Sequence, residues 1–199
     1  MPASRLAALD TVIARADAAI SARAAPDGDA ARAMRRVRSA LTRSIVPTSA
    51  PEPKEQAACR HLRPALAAAR AGGGDLARIA DAIEALAPAI HWRQRPSDDP
   101  DFMARHASAP LVGPEETCLE RRPDVRVGIS LMAPGVVYPD HRHPPEEVYI
   151  ALSRGWWRQN ADPWVEPGLG GIVYNPADII HAIRSGEEPL LAIWFLPVD

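Results

Sequence analysis

The chain has 199 residues, 47% of them apolar, 24% charged and only 5% aromatic. That length accommodates one core of ordinary size with a helical extension beside it. A net charge of −2 argues against nucleic acid or an anionic membrane as main partner, and no apolar run approaches the roughly 20 residues that cross a bilayer.

The composition is divided. Alanine occurs 31 times in residues 1–109 and 6 times in residues 110–199, whereas all three tyrosines and four of the five tryptophans lie in the later part. Cys59 and Cys118 stand far apart with no CxxC pairing, and the first residues carry Arg5, Asp10 and Arg15 through their apolar positions. Both features lead us to expect a cytoplasmic protein without a signal peptide or structural disulfide.

In chain order, residues 4–24 place Leu6, Leu9, Ile13, Ala16 and Ile20 on one helical stripe, with Ser4 as the expected cap. A second helix carries Met34, Val37 and Leu41, with Asp29 as cap. Its arginines (Arg32, Arg35, Arg36, Arg38, Arg43) read as a solvated face. The segment VPTSAPEP, residues 46–53, is loop, because its three prolines break helical geometry. A third helix over about residues 54–71 contains Pro64 and is expected to kink or split there. Gly72-Gly73-Gly74 ends it, and Asp75 is expected to cap a fourth helix with Leu76, Ile79, Ile83, Leu86 and Ile90 on one face. QRPSDDPD, residues 94–101, reads as a linker. His61, His91 and His106 read as surface or interhelical residues. From about residue 124 short runs bounded by Gly, Pro and Asp predict antiparallel strands forming a sandwich or barrel.

One constellation carries chemistry. In His141-Arg142-His143, period two places both imidazoles on one face of a strand; Glu147 follows, and Tyr149 shares its face. His181 opens a later strand. Two or three imidazoles with one carboxylate make a common set of ligands for a divalent transition metal: Fe(II), Zn(II) or Mn(II).

The run GVVYPDHRHPPEEVYIALSRG, with Gly135, His141, His143, Glu147 and Gly155, resembles the first cupin motif. GGIVYNPADIIHAIRS resembles the second, through Gly170, Pro176 and His181, with Asp178 in place of the motif's glycine and Ser185 in place of its asparagine. The resemblance implies a mainly β fold: a single-domain cupin, a small antiparallel β-barrel or jelly roll over residues 101–199, preceded by a helical extension over residues 1–100. More narrowly, YPDHRHPPEEVYIALS, NPADIIHAI and the helical extension are similar to the DddQ-type dimethylsulfoniopropionate lyases, which release dimethyl sulfide and acrylate. That likeness implies a metal held by His143, Glu147 and His181, a catalytic Tyr149, and Tyr138 and His141 in the pocket. It leaves open whether His141 and Tyr149 ligate directly.

Such an elimination needs a base, and Tyr149 is the first candidate, with Glu147 or a metal hydroxide as competitors. Tyr138, Trp156 or Trp157, Tyr174 and Trp194 are candidates to bind a sulfonium through their faces. Alternation lets only one of the adjacent tryptophans point inward. The expected partner is a small sulfonium carboxylate, bound by a monomer or homodimer. An Fe(II) dioxygenase and a non-enzymatic ligand-binding cupin are the alternative functions.

Overall fold

The computed structural model describes residues 6–43 and 51–198; the expected Ser4 cap and residues 46–50 of the VPTSAPEP loop lie outside them. Helices come first: α1 (Ala7–Ser21), α2 (Asp29–Leu41), a 3-10 turn (Ala57–His61) running into α3 (Leu62–Ala71), α4 (Gly74–Leu86) and α5 (Pro100–Arg105). The chain splits near Pro64 as its chemistry requires. Proline becomes the third residue of α3, in the first turn, where the missing N–H has no intrahelical carbonyl to reach.

Two expected caps sit one or two residues late. Gly28 and Gly73 occupy the N-cap positions, and Asp29 and Asp75 lie inside the first turn without capping hydrogen bonds. There they still oppose the helix dipole, and Asp75 meets Arg15 of α1 at 3.5 Å. Helix α1 is also shorter than its stripe, because Leu6 is half exposed and precedes the first turn. Arginines of α2 and of the residues just after it are engaged on the surface: Arg36 with Glu146, Arg38 with Asp17 and, past the helix end, Arg43 with Asp124.

Among the described residues nine strands follow: β1 (His106–Gly113), β2 (Glu120–Arg121), β3 (Val125–Met132), β4 (Val137–His141), β5 (Glu147–Ala151), β6 (Trp156–Gln159), β7 (Ile172–Asn175), β8 (His181–Arg184) and β9 (Leu190–Pro197). They form a six-stranded sheet, ordered β2-β1-β3-β9-β5-β7, and a three-stranded sheet, ordered β4-β8-β6. The expected mainly β, cupin-like architecture is therefore present, as two sheets enclosing a common interior. Among the described residues β1 and β2 are the parallel strand pair, Val112 with Glu120. Strands β1 and β2 fall before the stretch that reads as β in sequence. HASAPLVG is buried along nearly its whole length, so it lacks polar alternation, and Pro110 marks a register shift within it.

Period two divides the large sheet into two faces. Val125, Val127, Ile129 and Leu131 of β3, Val148 and Ile150 of β5, and Leu191, Ile193 and Phe195 of β9 pack under the helices in one continuous core. Each such side chain contributes roughly 1.5–3 kcal/mol when fully buried. The opposite face supplies Met132, Tyr149, Ala151 and Ala192, which meet Tyr138, Trp157 and Ile183 of the small sheet in a second cluster. The helices thus cover one side of the sheet and leave the other to line the interior. Trp92, also buried, belongs to the helical core. Among the described residues no helix is long and apolar enough to cross a membrane.

A candidate metal centre between the two sheets

Strand β4 ends at His141, because Pro144 and Pro145 follow too closely for the ladder to continue. His143 therefore lies in the turn beyond it, not in the strand that period two implies. It still comes to the same place. The register pairs His141 with His181 across β4 and β8, and Asp178 N–H donates to the His143 carbonyl at 3.0 Å. Asp178 has φ +57°, so the residue replacing the motif's glycine adopts the left-handed backbone that glycine usually supplies. Ser185, at the other departure, accepts from Val136 N–H at 2.9 Å and donates to the Ala133 carbonyl at 2.7 Å. Both substitutions preserve the turn geometry that carries the histidines.

One ring nitrogen from each of His141, His143 and His181 lies within 4.8 Å of the others. The remaining nitrogens are fixed by backbone carbonyls: His141 Nδ1 by Pro139 (2.9 Å), His143 Nδ1 by Pro145 (2.8 Å) and His181 Nδ1 by Ile179 (3.0 Å). A carbonyl only accepts, so each Nδ1 carries the hydrogen and each Nε2 presents a lone pair. His181 Nε2 is buried without a hydrogen-bond partner. Glu147 Oε2 stands 3.4 Å from His143 Nε2 and 3.3 Å from His181 Nε2. Carbonyl-anchored imidazoles converging beside a carboxylate fit a divalent transition ion, because this outer shell fixes tautomer and ring orientation.

Glu147 is itself held. Asn175 Nδ2 donates to Glu147 Oε2 at 3.1 Å, and Gln159 Nε2 donates to Asn175 Oδ1 at 2.9 Å. The β5–β7 register places Asn175 opposite Glu147. Burial alone would raise the Glu147 pKa, but hydrogen bonds and charge from the His143 and His181 rings, in the state where Nε2 carries a proton rather than a metal, outweigh it and hold the carboxylate at about 2. Burial pulls His141 down to about 3, which keeps this imidazole neutral and available as a ligand. For Tyr149, burial and then the Glu147 carboxylate push the phenol well above its ordinary value.

The centre opens into a cavity of about 640 Å³ lined by Tyr138, His141, His143, Glu147, Tyr149 and Trp194, with Arg93, Arg95 and Arg126 on its wall. Trp194 lies opposite Tyr149 across β5 and β9. Its indole lies over Gly128, where a Cβ would come within 2.1 Å of Trp194 Cζ2. Tyr138 is differently disposed. Its ring stacks on His141 (centroids 4.1 Å, planes 9° apart) and on Phe102 (4.8 Å, 26°), so its faces are taken up by protein. Of the tryptophan pair, Trp157 points inward, 5.9 Å from Tyr149, while Trp156 sits on the outer face against Arg184. Tyr174 also lies outside, its hydroxyl donating to Glu146 at 2.7 Å. The structure thus brings Trp194 and Tyr149 to the cavity and leaves Trp156 and Tyr174 away from it.

His106 departs from its surface or interhelical reading. It is buried on the inner face of β1, stacked on Phe102 (4.7 Å), and neither ring nitrogen has a partner. An isolated histidine in an alanine-rich stretch gives no sequence signal of this. Asn175 and Gly128 were equally silent, since their roles come from cross-strand register.

The profile of the dimethylsulfoniopropionate lyase family matches residues 29–192. The chain belongs to that family. Dimethylsulfoniopropionate lyase DddQ from Ruegeria pomeroyi is 31% identical over 121 residues, which span 59% of this chain and 59% of that relative. A crystal structure of DddQ from the same organism covers 96% of this chain and 92% of its own, with TM-score 0.65 and 23% identity. A structure from a study of the lyases RdDddP and RnDddQII gives TM-score 0.68 at 23% identity, covering 98% and 94%. At that identity the structural likeness establishes the shared fold.

Proposed function

We propose that this family member is a metal-dependent carbon–sulfur lyase that cleaves dimethylsulfoniopropionate to dimethyl sulfide and acrylate. The observation that carries this reading is the convergence of three carbonyl-anchored imidazoles and Glu147 beside Tyr149 in one cavity. His141, His143, His181 and Glu147 would hold the ion, with residues 1–100 as the scaffold around the sheet that presents them. A divalent ion there supplies Lewis-acid stabilisation for negative charge developing on the substrate carboxylate.

The chain's own residues account for the rest. Tyr149 Oη, once its own proton has left to solvent, acts as the phenolate and takes a proton from the carbon next to the carboxylate. That C–H electron pair becomes the new double bond, the C–S bond breaks, and its electrons leave with sulfur as neutral dimethyl sulfide. The Glu147 carboxylate acts on the Tyr149 phenol, and the Asn175–Gln159 chain keeps that carboxylate in position. Burial holds the phenol protonated, so its strength as a base depends on a positive charge beside it. Trp194 offers an aromatic surface to the sulfonium, an attraction of about 0.5–2 kcal/mol, whereas the stacked Tyr138 contributes its hydroxyl edge.

The purified full chain, loaded in turn with Fe(II), Mn(II) and Zn(II), should release dimethyl sulfide and acrylate in equal amounts without oxygen. Absence of dimethyl sulfide with every metal would overturn the reading, and strict oxygen dependence would point to dioxygenase chemistry.

A further inference from the structure

The residues that read as a linker, 94–101, form part of the cavity wall, through Gln94, Arg95 and Pro96. Hydrogen bonds hold this wall in place. Arg93 N–H donates to the Ser108 carbonyl and Ser108 N–H to the Arg93 carbonyl, both at 2.8 Å, and Gln94 Nε2 donates to the Met103 carbonyl at 2.8 Å.

Three arginines line the cavity, and they differ in one respect. Arg93 and Arg126 share Glu115, at 3.6 Å and 3.2 Å. Arg95 has no carboxylate within 4.0 Å among the described residues. Its guanidinium carbon stands 5.4 Å from the centre of the Tyr138 ring, and that ring stacks directly on His141. An arginine without an acidic partner among the described residues therefore lines the cavity beside the ring that stacks on the histidine cluster.

We propose that Arg95 is a second anchor for the substrate carboxylate, setting the orientation in which a zwitterion enters the cavity. This deepens the lyase reading and rests on it for the identity of the substrate. A guanidinium presents paired N–H donors that match the two oxygens of a carboxylate, and it repels a sulfonium. Trp194 offers an aromatic face to the cationic end. Carboxylate toward Arg95 and the histidines, sulfonium toward Trp194, is the arrangement these groups favour. Arg95 is a binding and specificity residue in this account, and it takes no part in proton transfer.

The test measures binding as well as turnover. In the metal-loaded full chain, Arg95→Gln should weaken acrylate and propionate binding, read by calorimetry, by about tenfold or more. It should raise KM for dimethylsulfoniopropionate in parallel and leave kcat within about threefold. Arg95→Lys, which keeps the charge but loses the fork, should fall between the two. Metal content and melting temperature should match the wild type. Unchanged propionate affinity in Arg95→Gln overturns the proposal, as does a loss confined to kcat. The binding arm does not depend on catalysis: a wild-type chain that releases no dimethyl sulfide sinks the lyase reading, while propionate affinity still decides the role of Arg95.

Discussion

Gly128 offers a sharp test of how the cavity is built. A Cβ at this position would lie 2.1 Å from Trp194 Cζ2, 2.4 Å from Trp194 Cη2 and 2.7 Å from the Ala109 carbonyl oxygen. All three distances are below any tolerable contact, and the last involves backbone of the neighbouring strand. Gly128→Ala must therefore move the indole or spread β1 from β3. Overpacking of this kind costs about 1–3 kcal/mol, and for a chain of this size about 2–4 °C of melting temperature per kcal/mol, so a fall of about 2–12 °C is expected. The indole cannot stay over Gly128, so Trp194 fluorescence should shift and KM for dimethylsulfoniopropionate should rise. Replacing the indole isolates the cause. Trp194→Phe removes the two atoms that clash, so Gly128→Ala should be less damaging in the Trp194→Phe background than in the wild type. Residual destabilisation is expected there, because the Ala109 carbonyl remains. Equal damage in both backgrounds would refute the proposed contact, and a wild-type melting temperature in Gly128→Ala would refute the packing altogether.

Two further outcomes follow from groups around the centre. Burial holds His106 down to about 3, against an ordinary value near 6.5, so between these limits the unfolded chain binds one more proton than the folded chain. Stability should then fall as pH drops through that window, by about 1.4 kcal/mol per unit from this residue; His106→Phe should flatten that slope and stabilise the fold by about 1–3 kcal/mol by removing two unsatisfied nitrogens. Asn175→Ala should leave Glu147 without its amide donor and weaken metal binding by about 10–100-fold, read by competition with a chelating indicator.

The chemistry was legible because it lies close together in sequence. His141, His143, Glu147 and Tyr149 occupy nine consecutive residues, and period two implied one shared face for the two histidines and another for Glu147 with Tyr149. The strand assignment of His143 failed through the Pro144–Pro145 turn, yet the turn delivers the imidazole to the same cluster. Alternation required one of Trp156 and Trp157 to face inward, and only the register with β8 decided that it is Trp157. Arg95 was illegible because a polar, proline-rich segment looks alike whether it crosses solvent or closes a cavity. His106 and β1 were hidden for a related reason. A strand buried on both faces loses the alternation by which strands are read.

The most direct test of the account is dimethyl sulfide release by wild type and Tyr149→Phe at matched metal content, assayed side by side. Loss of about 100-fold or more in kcat, with metal and substrate still bound, is the result the account predicts. Turnover by Tyr149→Phe at the wild-type rate would contradict it.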